Sequence, residues 1–555
     1  MVKTGLIGGF LIVFSSLIGT ITKAQDFTKE DTLRGSLNEN RIWWDVLYYD
    51  IEVNPDFDSK TITGKTIITF SALGGQTMQI DLQKPMTVDQ IEYNGTKLKF
   101  KQSGNITLVF FPHKIKSTNE APSKITITYH GQPREAVRPP WDGGWIWTKD
   151  QKGRPWMSVA CQELGASVWY PCKDHQSDEP QLGASITILT NKDQVAVGNG
   201  RLVKKTTEGE KMSYRWEVTN SINNYNIVPY IGAYENFNEI YAGEKGNLDC
   251  NYWVLDYNLG KAKKQFKQAI EMLSCFEDWM GPYPFYEDGY KLVEAPHLGM
   301  EHQSGVAYGN EFTNGYRGTD LSGTGWGMKW DFILVHESGH EWFGNSITTN
   351  DIADMWVHEG FTNYSETLFT QCKSGKEAAN AYLQGCRKNI RNDRPVIGEY
   401  GVNHPGSGDM YYKGASLIHT IRTMMQDDDR FKKMIRGLSA DFYHQTVTTG
   451  QIENYIIAQS GLGTSLQSVF DQYLRTTQIP VVSWRLQNGE LTSVLVNGVV
   501  DLKMKIYVPI TPNAGEWIMF TNQKPISIKT TLNEAEIVTA WNRNIYVNYR
   551  NTPTK

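Results

Sequence analysis

The stretch H-E-S-G-H-E-W-F-G-N, residues 336–345, decides how the rest of the chain is read. His336 and His340 stand four apart with Glu337 between them. An α-helix turns once every 3.6 residues, so the two imidazoles project from one face, one turn apart. Such a pair can hold one zinc ion, with Glu337 in reach of a water on it. The same letters also fit a charged helix face with two partly buried histidines. A third ligand separates the two readings, because catalytic zinc takes three protein ligands and keeps one position open. The segment D-M-W-V-H-E-G-F-T-N-Y-S-E (354–366) offers Glu359, with 18 residues between it and His340. That gap suits a loop and the start of a second helix packed on the first. Glu341 points about 100° away from His340 on the same helix and is set aside. Glu366, two turns past Glu359, is either a carboxylate behind the ligands or a surface or capping group.

Taken together, HExxH, 18 residues and then a glutamate resembles the M1 family of zinc aminopeptidases, within the gluzincins. Thermolysin-like endopeptidases share nearly the same layout. Two further stretches carry the resemblance to M1. H-L-G-M-E-H-Q-S-G (297–305) is similar to the family's G-A-M-E-N segment. Met300 and Glu301 match, Gly299 stands where the family has Ala, and His302 where it has Asn. The resemblance implies that Glu301 binds the substrate's free α-amine, with Met300 and Gly299 beside it. The departure at His302 puts the segment's contacts to the peptide backbone in question. D-M-Y-Y-K-G-A-S-L-I-H (409–419) resembles the family's Y-x-K-G segment. This implies that Tyr411, not Tyr412, donates to the oxyanion formed on the peptide carbonyl. Without the motif, either tyrosine would read as a core aromatic.

A looser match is C-Q-E-L-G-A-S-V-W-Y-P-C-K-D (161–174), which resembles the N-terminal-domain segment that reaches the family's active site. Aligned on Pro171 and Cys172, it puts Gln162 where the family helps hold the amine. Glu163 is the rival; on a strand the two would face opposite ways, and only one could point at the cleft. The resemblance thus implies one zinc per chain held by His336, His340 and Glu359, Glu337 as general base, and peptides as substrates. The rival functions are a thermolysin-like endopeptidase, if Glu301 does not close off the amine end, and an inactive peptide-binding relative. The latter would usually lack a ligand or the base, and none is lacking here. Many family members add a large helical C-terminal domain that roofs the site. The chain stops before one, which puts in question any length limit that such a roof imposes.

Beyond the motifs, 555 residues suggest about three or four domains. With 40% hydrophobic and 21% charged residues the chain reads as globular. A net charge of -5 gives no basic excess for nucleic acid or an anionic membrane. Residues 1–24 read as a signal peptide: Lys3, an apolar run from Leu6 to Ile18, then Thr22 and Ala24 ahead of Gln25. The run is too short to span a bilayer comfortably, so no integral membrane segment is expected after cleavage. An exported protein, periplasmic or secreted, follows. Six cysteines allow 15 full pairings, and closeness in sequence favours Cys372 with Cys386.

The expected fold is multidomain α+β. An N-terminal β-sandwich-like domain (25–235) is read from alternating stretches such as K-T-I-T-G-K-T-I-I-T-F (60–70). A thermolysin-like, mainly helical catalytic domain (236–478) and a small C-terminal β domain (479–555) follow. Trp141, Trp145 and Trp147 in W-D-G-G-W-I-W read as β-domain core or cleft wall rather than a sugar platform.

Overall fold

The computed structural model describes residues 27–552. The signal-peptide reading of 1–24 falls outside that range. The alternation of Ile62, Ile68 and Phe70 with polar neighbours builds the strand Thr61–Asp81, which buries its apolar face. It is the hub of a ten-stranded sheet and pairs antiparallel with Trp44–Asp56, Ile106–Ser117 and Ser123–Gly131. A second sheet of four strands includes Gly144–Lys149 and Pro155–Ala160. The core shared by these strands contains Trp145, Trp147, Trp169 and Tyr230. Trp141, by contrast, is 64% exposed and lines the cleft described below.

The middle of the chain opens with a five-stranded sheet rather than with helices. Its strands run in the order Tyr234–Gly243, Gly246–Leu255, Tyr290–Glu294, Val306–Tyr308 and Gly299–Met300. The edge strand Gly299–Met300 therefore lies at the border of the sheet, beside the helix carrying the HExxH motif. The helical pattern expected over 258–281 forms two helices, Leu259–Gln265 and Lys267–Met280, with Phe266 between them. The second ends at Gly281, whose φ of 93° only glycine adopts readily. The motif helix is short, Phe332–Gly339, and Asp331 caps it by accepting from the Leu334 amide at 3.2 Å. His340 follows directly, and a tight turn through Gly344 brings the Asn345 amide back to the His340 carbonyl at 2.9 Å.

Helix Trp356–Ser374 packs across the motif helix and is itself covered by Tyr412–Met425. All but its last turn is buried, polar residues such as His358, Glu359, Asn363 and Glu366 included. The expected Cys372–Cys386 bridge is not formed. Cys372 is bonded to Cys275, 97 residues away, because its helix lies beside Lys267–Met280 with a Cα–Cα distance of 6.1 Å. Cys386 is a buried thiol at the end of helix Lys376–Cys386. The last region holds a four-stranded sheet, including Val481–Gln487 and Glu490–Val496, and the hairpin Lys503–Thr511/Ala514–Thr521. Its buried Leu495, Met504 and Val508 are continuous with the catalytic core. The architecture is a β-rich region, a largely helical middle and a small β region, packed as one multidomain α+β chain.

Candidate active site

A cleft of about 970 Å³ lies between the N-terminal and middle regions. His336, His340, Glu337, Glu359, Glu301, Gln162, Met300, Gly299 and Tyr411 all line it. The ligand atoms of His336, His340 and Glu359 lie within 4.8 Å of one another. Glu359 Oε2 is 3.8 Å from His336 Nε2 and 3.4 Å from His340 Nε2. Both imidazoles are turned by partners on their other nitrogen. His336 Nδ1 meets Glu366 Oε1 at 2.7 Å, and His340 Nδ1 meets the Phe343 carbonyl at 3.0 Å. Glu366 is in turn held by Asn363 at 2.8 Å and by the Tyr382 hydroxyl at 2.6 Å. The two open readings of Glu366 are thereby resolved: it is fully buried and orients a ligand, as carboxylates behind metal-bound histidines do.

These residues fit a metal. Glu359 Oε2 is buried and has no hydrogen-bond partner, a costly arrangement for a carboxylate unless a cation meets it. Two imidazole nitrogens and one carboxylate oxygen are the donor set of a catalytic zinc. Burial opposes a charge on His340, and the carboxylates of Glu359, Glu301 and Glu337 overcome it, pushing its pKa up to about 10. Burial would raise Glu359 too, but the two histidines hold it below the ordinary value. A site that gathers this much negative charge around paired imidazoles calls for positive charge. Glu341 faces elsewhere, accepting from the Ser304 amide at 2.9 Å and the Tyr283 hydroxyl at 3.0 Å.

Glu337 is buried at the cleft floor, and burial pushes its pKa up to about 7 against the pull of His336 and His340. Gly299 makes room for it: a Cβ there would stand 2.7 Å from Glu337 Oε1. Tyr411 stacks on His336 with ring centroids 6.0 Å apart, and its phenol is surrounded by Glu359 and Glu301. Tyr412 is turned toward Glu366, Cys386 and Tyr316. The adjacent tyrosines thus part at the helix start, though both line the cleft.

Next to the triad, Glu301 is 3% exposed, and burial raises its pKa. The Tyr225 hydroxyl donates to its Oε1 at 2.9 Å, and the Gln162 side-chain amide donates to the same oxygen. Asn345 donates to the Glu301 carbonyl at 2.7 Å. His302 points away from the cleft, with Nδ1 on the Tyr230 hydroxyl at 2.5 Å, and burial keeps it neutral. The substitution at this position therefore leaves the cleft wall untouched. The strand reading of 161–174 needs correction at its start. Gln162, Glu163 and Leu164 form a turn, so Gln162 and Glu163 both reach the cleft instead of facing opposite ways.

Sequence reasoning did not identify Tyr225, Asn345, Thr362 or Tyr382. Asn345 stands inside the quoted motif stretch, and Thr362 lies one turn from Glu359, where it meets the Phe343 carbonyl at 3.1 Å. Tyr225 and Tyr382 carry no local signal at all.

A buried His, His, Glu triad with a carboxylate base beside it, in this fold, defines a zinc metallopeptidase. Residues 266–473 match the Peptidase family M1 domain. Over this span the chain resembles peptidase family M1. Leukotriene A-4 hydrolase from Xenopus laevis is 22% identical over 442 residues, 74% of this chain and 68% of that protein. Endoplasmic reticulum aminopeptidase 1 from Homo sapiens is 23% identical over 336 residues, 58% of this chain and 34% of that one. The chain thus spans about a third of the latter's length. In fold it resembles an M1 zinc metallopeptidase from Deinococcus radiodurans, solved with a Tyr-Ser-Ala substrate. The TM-score is 0.67 at 18% identity, over 80% of this chain and 98% of that one.

Proposed function

We propose that this protein is a zinc aminopeptidase that hydrolyses the first peptide bond of peptides with a free α-amine. One observation carries the reading: a buried carboxylate, Glu301, ends the cleft next to the zinc triad. Its ligand atom lies within 4.8 Å of those of Glu337 and His340. An ammonium paired with Glu301 would set the first peptide bond against the base and the triad. A blocked amine would leave that buried carboxylate uncompensated, which is costly.

Zinc held by His336, His340 and Glu359 would supply a Lewis acid for the scissile carbonyl and a water of lowered pKa. Glu337, poised near neutral pH, takes the proton of the attacking water and returns it to the leaving amine. Tyr411 donates its hydroxyl to the oxyanion that develops on the carbonyl. Glu301, with Gln162 and Tyr225 on its oxygen, holds the amine and fixes the register of the chain.

The test offers short peptides with free and with acetylated N-termini to zinc-loaded protein and reads products by mass. Stepwise loss of single residues from the free forms alone is the expected result. Internal cleavage of both forms would make the protein an endopeptidase and remove Glu301 from its role. Cleavage of neither would favour the inactive peptide-binding reading.

We also infer that the protein is exported, to a periplasm or the medium, with peptides as partners. The N-terminal sequence pattern supports this, and so does the Cys275–Cys372 disulfide, which belongs to an oxidising compartment. Among the described residues no helix is long and apolar enough to cross a membrane. Mass analysis of protein recovered from its native compartment should find a chain starting at Gln25; retention of residues 1–24 would refute cleavage.

A further inference from the structure

Glu163 is the charged member of the Gln162–Leu164 turn, and the aminopeptidase chemistry leaves its place in the cleft unused. Its carboxylate accepts no hydrogen bond among the described residues, whereas the neighbouring Gln162 amide is engaged by Glu301. The turn is not free to swing. The Glu163 carbonyl accepts from Arg34 and, at 2.8 Å, from the Asn403 side-chain amide. Arg34 also donates to the Leu164 carbonyl and lies 3.6 Å from Asp174. Two neighbouring chain segments, one carrying Arg34 and the other Asn403, therefore fix the backbone that carries Glu163.

The charges around it are unbalanced. Glu359 and Glu301 repel the carboxylate; His404 and Arg34 attract it. Arg34, however, is held by two carbonyls and Asp174, and Arg394, the other arginine of the cleft, donates to the Gly406 carbonyl at 2.9 Å. Asp31 adds a further carboxylate to the same cleft. Glu163 is open to the cleft, yet partial desolvation and the nearby Glu359 still raise its carboxyl above the ordinary value, a shift that a bound cation would offset. Pro140, Trp141 and Leu164 line the cleft as well and suit the methylene stem of a long cationic side chain.

We propose that Glu163 selects substrates that carry a lysine or arginine side chain next to the scissile bond. The inference rests on the aminopeptidase reading and names its substrate class. Lysine and norleucine side chains share their methylene stem and differ chiefly at the terminal ammonium, which makes them the right pair. Tripeptides Xaa-Ala-Ala and Ala-Xaa-Ala, with Xaa either lysine or norleucine, would be given to the wild type and to Glu163→Gln. The wild type should favour lysine in one of the two positions by on the order of ten- to hundredfold in kcat/KM, the size of a charge-assisted contact. In Glu163→Gln that ratio should collapse toward one. A ratio unchanged by the substitution would overturn the proposal, including the case in which both series slow equally, which would make Glu163 part of the amine clamp. Failure of the aminopeptidase reading looks different: no tripeptide would lose its first residue, while longer acetylated peptides would be cut internally.

Discussion

The zinc end of the site and the amine end beside it are built on different principles. The zinc end is nearly local: His336 and His340 sit one turn apart, and Glu359 and Glu366 sit two turns apart on the next helix. The amine end draws Gln162, Tyr225, Glu301 and Asn345 from four separate segments, two of them in the N-terminal region. Helical periodicity aligns each pair of the first set and a single helix–helix packing joins them, whereas the second exists only after the N-terminal sheets dock on the middle region. The chemistry common to all peptide hydrolysis thus resides in one helix pair. The choice of which bond is cut depends on an interface between regions.

That contrast can be broken by substitution. Glu337→Gln should slow every substrate, free or blocked, by roughly 10²- to 10⁴-fold with zinc still bound one per chain. A loss confined to free-amine substrates would tie Glu337 to the wrong end. Tyr411→Phe should reduce kcat by on the order of 10²-fold with a smaller effect on KM. Tyr412→Phe, which faces Glu366 rather than the triad, serves as its control, and the reverse order would shift the register by one residue.

Glu301→Gln sharpens the comparison from the other side. Activity on free-amine peptides should fall by about ten- to hundredfold, the worth of a charged contact, and zinc content should not change. Equal rates on free and acetylated peptides before and after the change would count against the division. Glu366→Gln should act on metal rather than on the reaction: zinc affinity drops by about 10- to 100-fold, and added zinc restores turnover. If excess zinc restored nothing, Glu366 would have a role beyond orienting His336.

The smallest expected effect is a proton count. In the metal-free protein His340 keeps its proton up to about pH 10, and a zinc ligand must be neutral. Zinc uptake at pH 8 should therefore release protons, and apparent affinity should rise with pH toward that value. Titration calorimetry in two buffers of different ionisation heat reads this release directly. Zinc uptake with no proton release would mean that the imidazole is already neutral at that pH.

The zinc end is the more legible in the sequence, because histidines four residues apart on a helix have few other places to be. The fold class was legible for the same kind of reason: alternation over 60–70 marks strands, and apolar spacing near 266–273 marks a helix. The disulfide was misread because proximity in sequence was taken for proximity in space. Cys275 and Cys372 meet since two helices pack side by side, which no spacing records. The Gln162–Glu163 pair was misjudged because a turn, not a strand, carries it, and the turn is held by Arg34 and Asn403 from elsewhere in the chain.

By itself, then, the sequence determined which residues to propose as ligands and base and the likeness of two further segments to known motifs, since each lies within a few residues of a recognisable pattern. Only the tertiary structure decided which carboxylate stands behind His336, which tyrosine steadies Glu301 and that Glu163 faces the cleft. Those relations join residues 30 to 240 positions apart, and packing between regions, not local backbone geometry, brings such residues together.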